Sequence, residues 1–473
     1  VKLRDYQRRA IDEMETAFNA GTRGLFLVMP TGAGKTVVFT EWLKSRVEAG
    51  QRAVVLAHRG ELIKQAGKTI NANGMYHGVI KACDSTFPLA PIQVASIDSM
   101  RSRELPWHPD LIVVDEAHLV KSNRYMTFLA KYPDAQLLMV SATPIRLDNR
   151  GFHDLADAIV IGSTINELIE HPEGPFLVPP VLYTGSHLKG LEKVKTLAGE
   201  YNQGALESFM ATTSLVGDVV EQYRLKAFGR KGVVFCVGIG HSKLVCEQFN
   251  AAGIPAEHID GTTPEGQRDA ILGRLKTGQT MIVTNANVLC EGWDEPSVSY
   301  VGLCRPTKSL ALYIQQAGRG LRICPEIGKE NCVIIDHAGN MAEHGHILEE
   351  RAWSLDGMAG VKKAKGKKNY KECPACDAWL TLLAQSCDYC GYTYPAPKIN
   401  VIHADFTQAE APKEYPMLIK EYRAFLRMAK ATDRKAGWAY FRVRDKYGVD
   451  TTKAQLSYRE SQKHIKECYG VEV

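Results

Sequence analysis

No stretch of this 473-residue chain approaches the roughly 18 uncharged apolar residues that a membrane-crossing helix needs. A membrane partner is therefore not expected. The opening residues, Val1-Lys2-Leu3-Arg4-Asp5-Tyr6-Gln7, lack the apolar run of a signal peptide, so the expectation is a cytoplasmic protein. A strong overall charge is missing too, since 58 Lys and Arg face 53 Asp and Glu for a formal +5. A disulfide framework is not indicated either. Of 12 cysteines, eight (Cys83, Cys236, Cys246, Cys290, Cys304, Cys324, Cys332, Cys468) stand singly, several inside apolar runs, and read as small buried hydrophobes of a reducing compartment.

What remains is an ordinary globular composition, 45% hydrophobic and 23% charged, over a length that suggests roughly three domains. The small positive charge is unevenly placed. Residues 357–473 hold 21 Lys and Arg against 13 Asp and Glu, which leaves the preceding part slightly acidic. A basic tail on a near-neutral body suits an acidic polymer as partner, and suits equally a solvated tail that aids solubility.

Apolar runs at 25–29, 53–57, 92–95, 111–114 and 137–140 read as buried parallel strands, with helical patterns at 36–49 and 60–71 between them. That is the βαβ rhythm of a doubly wound sheet. It breaks over 166–205, where Pro172, Pro175, Pro179 and Pro180 mark a connector. It restarts at 232–237, with further strands at 281–284, 298–303 and 332–335. The predicted organisation is an α/β lobe over 1–165, the connector 166–205 and a second α/β lobe over 206–356. A basic linker over 357–371, a Cys-rich module over 372–395 and a linker with a helical tail over 396–473 follow.

Met29-Pro-Thr31-Gly32-Ala33-Gly34-Lys35-Thr36 follows a strand and opens a helix, the setting a phosphate-binding loop requires. Backbone N–H groups of the glycine turn can curl around nucleotide phosphates, Lys35 can neutralise them, and Thr36 offers a hydroxyl to Mg²⁺. The general pattern wants a glycine where Met29 stands. Asp115-Glu116-Ala117-His118 closes the apolar strand about 80 residues later. There Asp115 can hold the Mg²⁺ shell and Glu116 can orient and deprotonate a water. In isolation this tetrapeptide would serve equally as an acidic helix cap.

These motifs, in this order, make the chain resemble the superfamily 2 helicases of the DEAH-box-like group over about 1–355. The resemblance implies two RecA-like doubly wound lobes with ATP and Mg²⁺ between them. It implies that Gln7 reads the adenine with Arg4 nearby. His58 and Arg59 of Leu56-Ala-His-Arg-Gly-Glu-Leu62, and Ser96 of Val94-Ala-Ser-Ile97, would contact a nucleic-acid strand. Ser141 and Thr143 of Ser-Ala-Thr, with His118, would couple hydrolysis to movement. In the second lobe, Thr284-Asn-Ala-Asn-Val-Leu-Cys-Glu-Gly-Trp-Asp294 would set Thr284 on the nucleic-acid backbone and Gly292 and Asp294 near ribose and phosphates. Gln315-Gln-Ala-Gly-Arg-Gly-Leu-Arg322 would supply Gln315 to position the attacking water or to bridge to the opposite lobe, with Arg319 and Arg322 as arginine fingers. Their spacing of one helical turn points both the same way. Arg146-Leu-Asp148 and Gly318-Arg-Gly-Leu-Arg322 look more like DNA-directed members than RNA unwinders. The likeness is to repair, recombination and branch-migrating enzymes, including phage-encoded ones with a Cys-rich tail, acting in a bacterial or phage-infected cell. An RNA helicase, the motor subunit of a restriction or defence complex, and a zinc-dependent DNA-binding scaffold stay open as alternatives.

Cys373-Pro-Ala-Cys376 and Cys387-Asp-Tyr-Cys390 form two Cys-x₂-Cys knuckles ten residues apart, a donor set for tetrahedral Zn²⁺. So short a module cannot build its own core, so the ion would supply its folding energy. Binding DNA, docking a protein partner and bracing the lobes are all open roles. His337, His344 and His346 read as structural. Tyr422, Phe425, Arg427, Trp438, Tyr440, Phe441, Arg442, Arg444 and Tyr447 suit base stacking with phosphate pairing, and equally the core of a small helical bundle.

Overall fold

The computed structural model describes residues 2–82, 84–146, 149–184, 191–197, 200–211, 215–286, 288–290, 292–357, 370–381 and 384–394, with short pieces between 424 and 442. The chain divides into two compact units, Val1–Pro395 and Ala396–Val473. In the second, residues 424–425 and 427–429 are helical. Most of the expected helical tail, the basic stretch 362–368 and two of the three residues of Arg146-Leu-Asp148 lie outside the described residues.

The first sheet comprises β1 (Gly24–Val28), β2 (Ala53–Ala57), β3 (His77–Lys81), β4 (Asp84–Thr86), β5 (Ile92–Ser96), β6 (Leu111–Asp115), β7 (Gln136–Ser141) and β8 (Ala158–Ile161). Its spatial order is β4-β3-β5-β2-β6-β7-β1-β8. All neighbours run parallel except β3 and β4. Strands β1, β2 and β6 are buried at every residue, because helices cover both faces of the sheet; that is why they appear in sequence as unbroken apolar runs.

The second sheet comprises β9 (Pro180–Thr184), β12 (Gly232–Phe235), β13 (Ala256–Ile259), β14 (Ile282–Asn285), β15 (Tyr300–Leu303) and β16 (Cys332–Asp336). Its order is β13-β14-β12-β15-β16-β9, all parallel. A small antiparallel hairpin of β10 (Thr196–Leu197) and β11 (Glu200–Tyr201) lies between β9 and β12 in the chain. The Cys-rich module carries the antiparallel pair β17 (Tyr370–Glu372) and β18 (Trp379–Thr381). Among the described residues no helix is long and apolar enough to cross a membrane.

Two expectations need correction. The segment 166–205 is more than a connector, since β9 inside it forms the edge of the second sheet, parallel to β16. Its prolines hid the strand. Pro180 can open an edge strand because no ladder bond needs its missing N–H there. The chain also returns to the first lobe after the second. The Phe152 and His153 amides donate to Leu355 O at 2.7 and 3.2 Å, Asn166 Nδ2 donates to Leu348 O at 3.1 Å, and Trp353 packs against the first lobe's own core and the larger core that spans both lobes.

Candidate nucleotide cleft and four-cysteine centre

The phosphate-type loop lies between β1 and the helix Lys35–Glu48. Gly32 and Gly34 adopt φ of +88° and +83°, a left-handed backbone that glycine adopts without a Cβ clash. At Gly34 a Cβ would also fall 2.6 Å from Gln7 Nε2. The loop is braced from beneath by the first helix: Tyr6 Oη and Gln7 Nε2 both donate to Ala33 O, at 2.9 and 3.2 Å. Ala33 N–H is itself engaged with Pro30 O, so of the loop's residues Ala33 aims neither backbone group at a phosphate. Gln7 departs from the expected adenine reader. It is 4% exposed, and its amide is committed to Ala33 O and to Arg4 N. Arg4 instead lines the cleft, its guanidinium 4.0 Å from the ring centre of Phe176. Phe176 had no sequence signal, because it sits in the Pro-rich segment outside every motif.

Lys35, Asp115 and Glu116 form the floor of a cleft with about 310 Å³ of free volume, walled on the other side by Gly292, Asp294, Arg319 and Arg322. Burial lowers the pKa of Lys35, opposed by Glu116 and then Asp115, while Arg319 and Arg322 push it further down. Burial, followed by the neighbouring Glu116 charge, raises the Asp115 carboxyl to about 6. Two adjacent acids in so dry a place favour a bound cation, so the donor set fits Mg²⁺. Glu116 is held at φ 51°, ψ 55°, a left-handed conformation that costs a non-glycine residue roughly 1–2 kcal/mol. Its Oε2 lies 3.4 Å from Gln315 Nε2 and 3.6 Å from His118 Nδ1. Gln315 Nε2 also lies 3.3 Å from that histidine nitrogen. A residue of the second lobe thus meets the acidic pair of the first.

The arginine segment differs from the expected shared helix face. The helix Leu310–Gly318 ends before either arginine, and Arg322 lies in an extended bridge opposite Leu177. The cause is Gly318-Arg319-Gly320. A Cβ at Gly320 would fall 2.2 Å from Cys332 Sγ, so the chain leaves the helix hard against the sheet. The two arginines therefore separate in role. Arg319 donates to Cys290 O through Nε (3.0 Å) and Nη2, and to Trp293 O through Nη1 at 2.6 Å. Arg322 pairs its Nε with Asp294 Oδ1 at 3.0 Å, while its buried Nη1 has no hydrogen-bond partner among the described residues. Its stem lies over the phosphate-type loop, where a Cβ at Gly32 would be 3.1 Å from Arg322 Cγ. Burial pushes the Arg322 guanidinium down to about 10, against the Asp294 charge. Glu200, on the small hairpin, accepts from the Lys308 and Ser309 amides at 3.0 and 3.2 Å and from the Thr307 hydroxyl. It holds the turn leading into the helix Leu310–Gly318, whose N-cap is Ser309, and no motif announced it.

The other expected residues divide. Ser141 and Thr143 are fully buried, and neither hydroxyl has a hydrogen-bond partner among the described residues. Thr31 packs against the end of the helix Leu310–Gly318, since a Cβ at Gly318 would be 3.1 Å from Thr31 Cβ. Thr36 lines the cleft. His58 and Ser96 stand together at the ends of β2 and β5, which pair through Ala57 and Ser96. Arg59 bridges the lobes instead, donating to Val288 O at 2.6 Å. Thr284 is fully buried and donates to Ser242 O at 2.9 Å. It cannot touch a nucleic-acid backbone, because its strand lies under the helix Ile239–Ala251 that carries that carbonyl. Of the three histidines, His344 contacts Thr307 O and His346 accepts from Leu348 N–H.

The four cysteines converge, with all sulfurs within 4.8 Å of one another. Cys373 and Cys390 are 3.7 Å apart, as are Cys376 and Cys387. A disulfide needs about 2.05 Å, whereas the edge of a tetrahedron with 2.3 Å metal–sulfur bonds is about 3.8 Å. The donor set therefore fits a tetrahedral metal. Asp377 and Gly391, each directly after the second cysteine of its knuckle, share a left-handed φ of 61° and 74°. Two alike turns thus present the four thiols. Burial raises the Cys373 thiol, but amide donors from Ala375 and Cys376, together with the neighbouring Cys390 and Cys376 thiols, bring it down to about 7. The module seats on the second lobe. Tyr389 Oη donates to Pro180 O at 3.0 Å, and Lys226 Nζ donates to Cys376 O and Asp377 Oδ2, each at 2.9 Å.

Residues 1–146 match the family described as "Type III restriction enzyme, res subunit", and 214–324 match "Helicase conserved C-terminal domain". The chain is similar to a 51.5 kDa protein of a Lactococcus phage, 28% identical over 91% of this chain and 90% of that protein. It is similar to a Saccharomyces cerevisiae protein named as the ATP-dependent helicase IRC3, 29% identical over 71% of this chain. The match spans about half of IRC3, 51% of its length. An HsdR-subunit fragment of a type I restriction enzyme from Vibrio vulnificus shares the fold. Its TM-score is 0.57 at 22% identity, over 72% of this chain and 65% of that one. With one family in each lobe and a phosphate-type loop facing an arginine segment across a single cleft, the chain belongs to the superfamily 2 helicases and hydrolyses ATP.

Proposed function

We propose that the chain couples ATP hydrolysis to movement on, or remodelling of, single-stranded, forked or branched DNA. The observation that carries the ATP-dependent part of this reading is the Arg322 Nη1, buried without a partner above the phosphate-type loop. An unsatisfied guanidinium donor in a dry site is costly until an anion arrives.

Lys35 and the amides of Thr31, Gly32 and Gly34 would hold the β- and γ-phosphates, with the base against Arg4 and Phe176. Thr36 and Asp115 would hold Mg²⁺, which supplies charge neutralisation at the phosphates when bound. Glu116 orients and deprotonates the attacking water, and Gln315 and His118 fix its carboxylate. Arg322 exchanges Asp294 for the γ-phosphate, while Arg319 keeps the loop around Gly292 in place. Losing the γ-phosphate contact after hydrolysis lets the lobes part. Ser141 and Thr143 would carry that change toward the strand face formed by His58 and Ser96. Cys373, Cys376, Cys387 and Cys390 would hold Zn²⁺, and the basic tail would add DNA affinity or dock a protein partner.

The test is ATP turnover alone and with single-stranded DNA, forked DNA, a four-way junction and matched RNA. Stronger stimulation by branched DNA supports the proposal. Stimulation by RNA alone would move the substrate to RNA. A second reading, the motor of a multi-subunit restriction complex, is favoured by the family matched in the first lobe. It requires that DNA cleavage appear only with added partner subunits.

A further inference from the structure

We infer that the four-cysteine module is part of the positioning machinery of the ATP site. Tyr389, inside its second knuckle, is the positioning residue that transmits the state of the metal centre to Arg322. This rests on the proposed roles of Arg322 and of the cysteine ligands.

The path is short. Tyr389 stands between Cys387 and Cys390, so metal ligands fix its backbone on both sides. Its hydroxyl donates to Pro180 O. Pro180 opens β9, which has the sheet on one side only, where Cys332 N donates to Pro179 O at 3.0 Å. On its open side the strand meets the module. Two residues before Pro180, the Val178 amide donates to Leu321 O at 2.7 Å, and Leu177 forms the bridge with Arg322. The Leu177 side chain also reaches the phosphate-type loop, where a Cβ at Gly32 would be 3.0 Å from its Cδ2. One side-chain hydrogen bond, three residues of extended chain and one backbone hydrogen bond therefore join a metal knuckle to the arginine segment.

The first knuckle is docked independently. Lys226 holds Cys376 O and Asp377, and Ala378 is fully buried in a core shared with Val181 of β9. Contact with DNA alone requires none of these attachments to β9. With the metal lost, β9 keeps its neighbour on one side only, and the residues first to shift are those that set the register of Arg322.

The experiment compares Tyr389→Phe, Lys226→Ala, Arg322→Ala and the double variant Tyr389→Phe/Arg322→Ala with the unaltered full chain. It measures single-turnover and steady-state ATP hydrolysis, KM for ATP, zinc per chain and thermal melting, before and after zinc chelation and readdition. Tyr389→Phe is expected to keep its zinc and its KM and to lose about fivefold in kcat, the equivalent of one net hydrogen bond. Lys226→Ala, which loosens the other knuckle without removing a ligand sulfur, is expected to show the same split. Chelation should lower kcat further while a fluorescent ATP analogue still binds, and zinc should restore it. In the Arg322→Ala background, Tyr389→Phe should have no further effect, because the path ends at Arg322. An unchanged kcat in both docking variants with zinc retained would overturn the coupling, and so would an equal loss with and without Arg322. Normal turnover in Arg322→Ala would instead overturn the reading of the ATP site beneath it.

Discussion

Gly320 is the place where a single methyl group should separate ATP binding from ATP turnover. An alanine Cβ there would lie 2.2 Å from Cys332 Sγ and 2.8 Å from Val301 Cγ2. Ordinary heavy-atom contact is about 3.5–4 Å, so roughly 1.5 Å must be found. Both partners are fully buried on adjacent parallel strands, β16 and β15. The sulfur can swing only about χ1, and the sheet cannot recede, so the loop 319–322 must lift. Overpacking of this kind costs about 1–3 kcal/mol. A displacement near 1 Å at groups that meet the reacting centre costs up to about 10²-fold in rate. Gly320→Ala is therefore expected to lower kcat by about 10- to 100-fold with KM for ATP within about twofold, since the phosphate-type loop is untouched. Adding Cys332→Ala removes the nearer obstacle and should recover most of the lost rate. Steady-state ATPase and urea unfolding on the single and double variants measure both quantities. Full activity in Gly320→Ala, or a double variant no better than the single, would refute the claim that this contact sets the arginine segment.

Glu116→Gln should still bind ATP, measured with a fluorescent analogue, and lose about 10²–10⁴-fold in turnover; near-normal turnover would remove Glu116 from the chemistry. Thr284→Val should cost about 1 kcal/mol in urea unfolding through loss of the hydrogen bond to Ser242 O and leave DNA affinity unchanged, whereas weakened DNA binding at intact stability would return Thr284 to the nucleic-acid face. Burial, then the nearby Arg351 charge, pushes His346 down to about 4. It is neutral in the fold, while the unfolded chain takes up a proton near pH 6.5, so the unfolded state binds more protons between those values. Its contribution is thus complete above pH 6.5 and is lost as pH falls toward 4, by up to about 3 kcal/mol. Burial lowers His241 and His344 in the same sense. Urea unfolding between pH 7.5 and 5 should show the decline and His346→Gln should reduce it; a flat profile would contradict the sign.

The strands that position the cleft could be read because they are buried on both faces and so carry no polar interruption. β13, with Glu257 and His258 in its four residues, and β3, with alternating exposure, lie toward the edges and left no such run. β9 was concealed by the prolines that an edge strand tolerates. At the cleft, the motif residues of the loop and of the acidic pair could be located because their chemistry depends on fixed spacing along one strand–loop–helix unit. The separation of Arg319 from Arg322 could not, since it follows from a contact between Gly320 and Cys332 on a distant strand. Gln7, Arg59 and Thr284 failed for a related reason: a motif names a residue type, while its hydrogen-bond partners come from tertiary packing. Phe176 and Glu200 lie outside every motif, and Tyr389 is a non-ligand position within a cysteine knuckle; only the fold brings them to the site or its supports.

The return of residues 348–355 to the first lobe changes what kind of joint the cleft is. With a single crossing near 176–180, the lobes would hang on a flexible cord, free to twist and translate. With a second fastening, the chain forms a closed linkage of two bars and two pins. Such a linkage favours one swing, about the line through its pins, over every other relative displacement. Energy released at one wall of the cleft would then be directed into a rotation rather than dispersed among many small slips, and the two lobes lose their standing as separable modules.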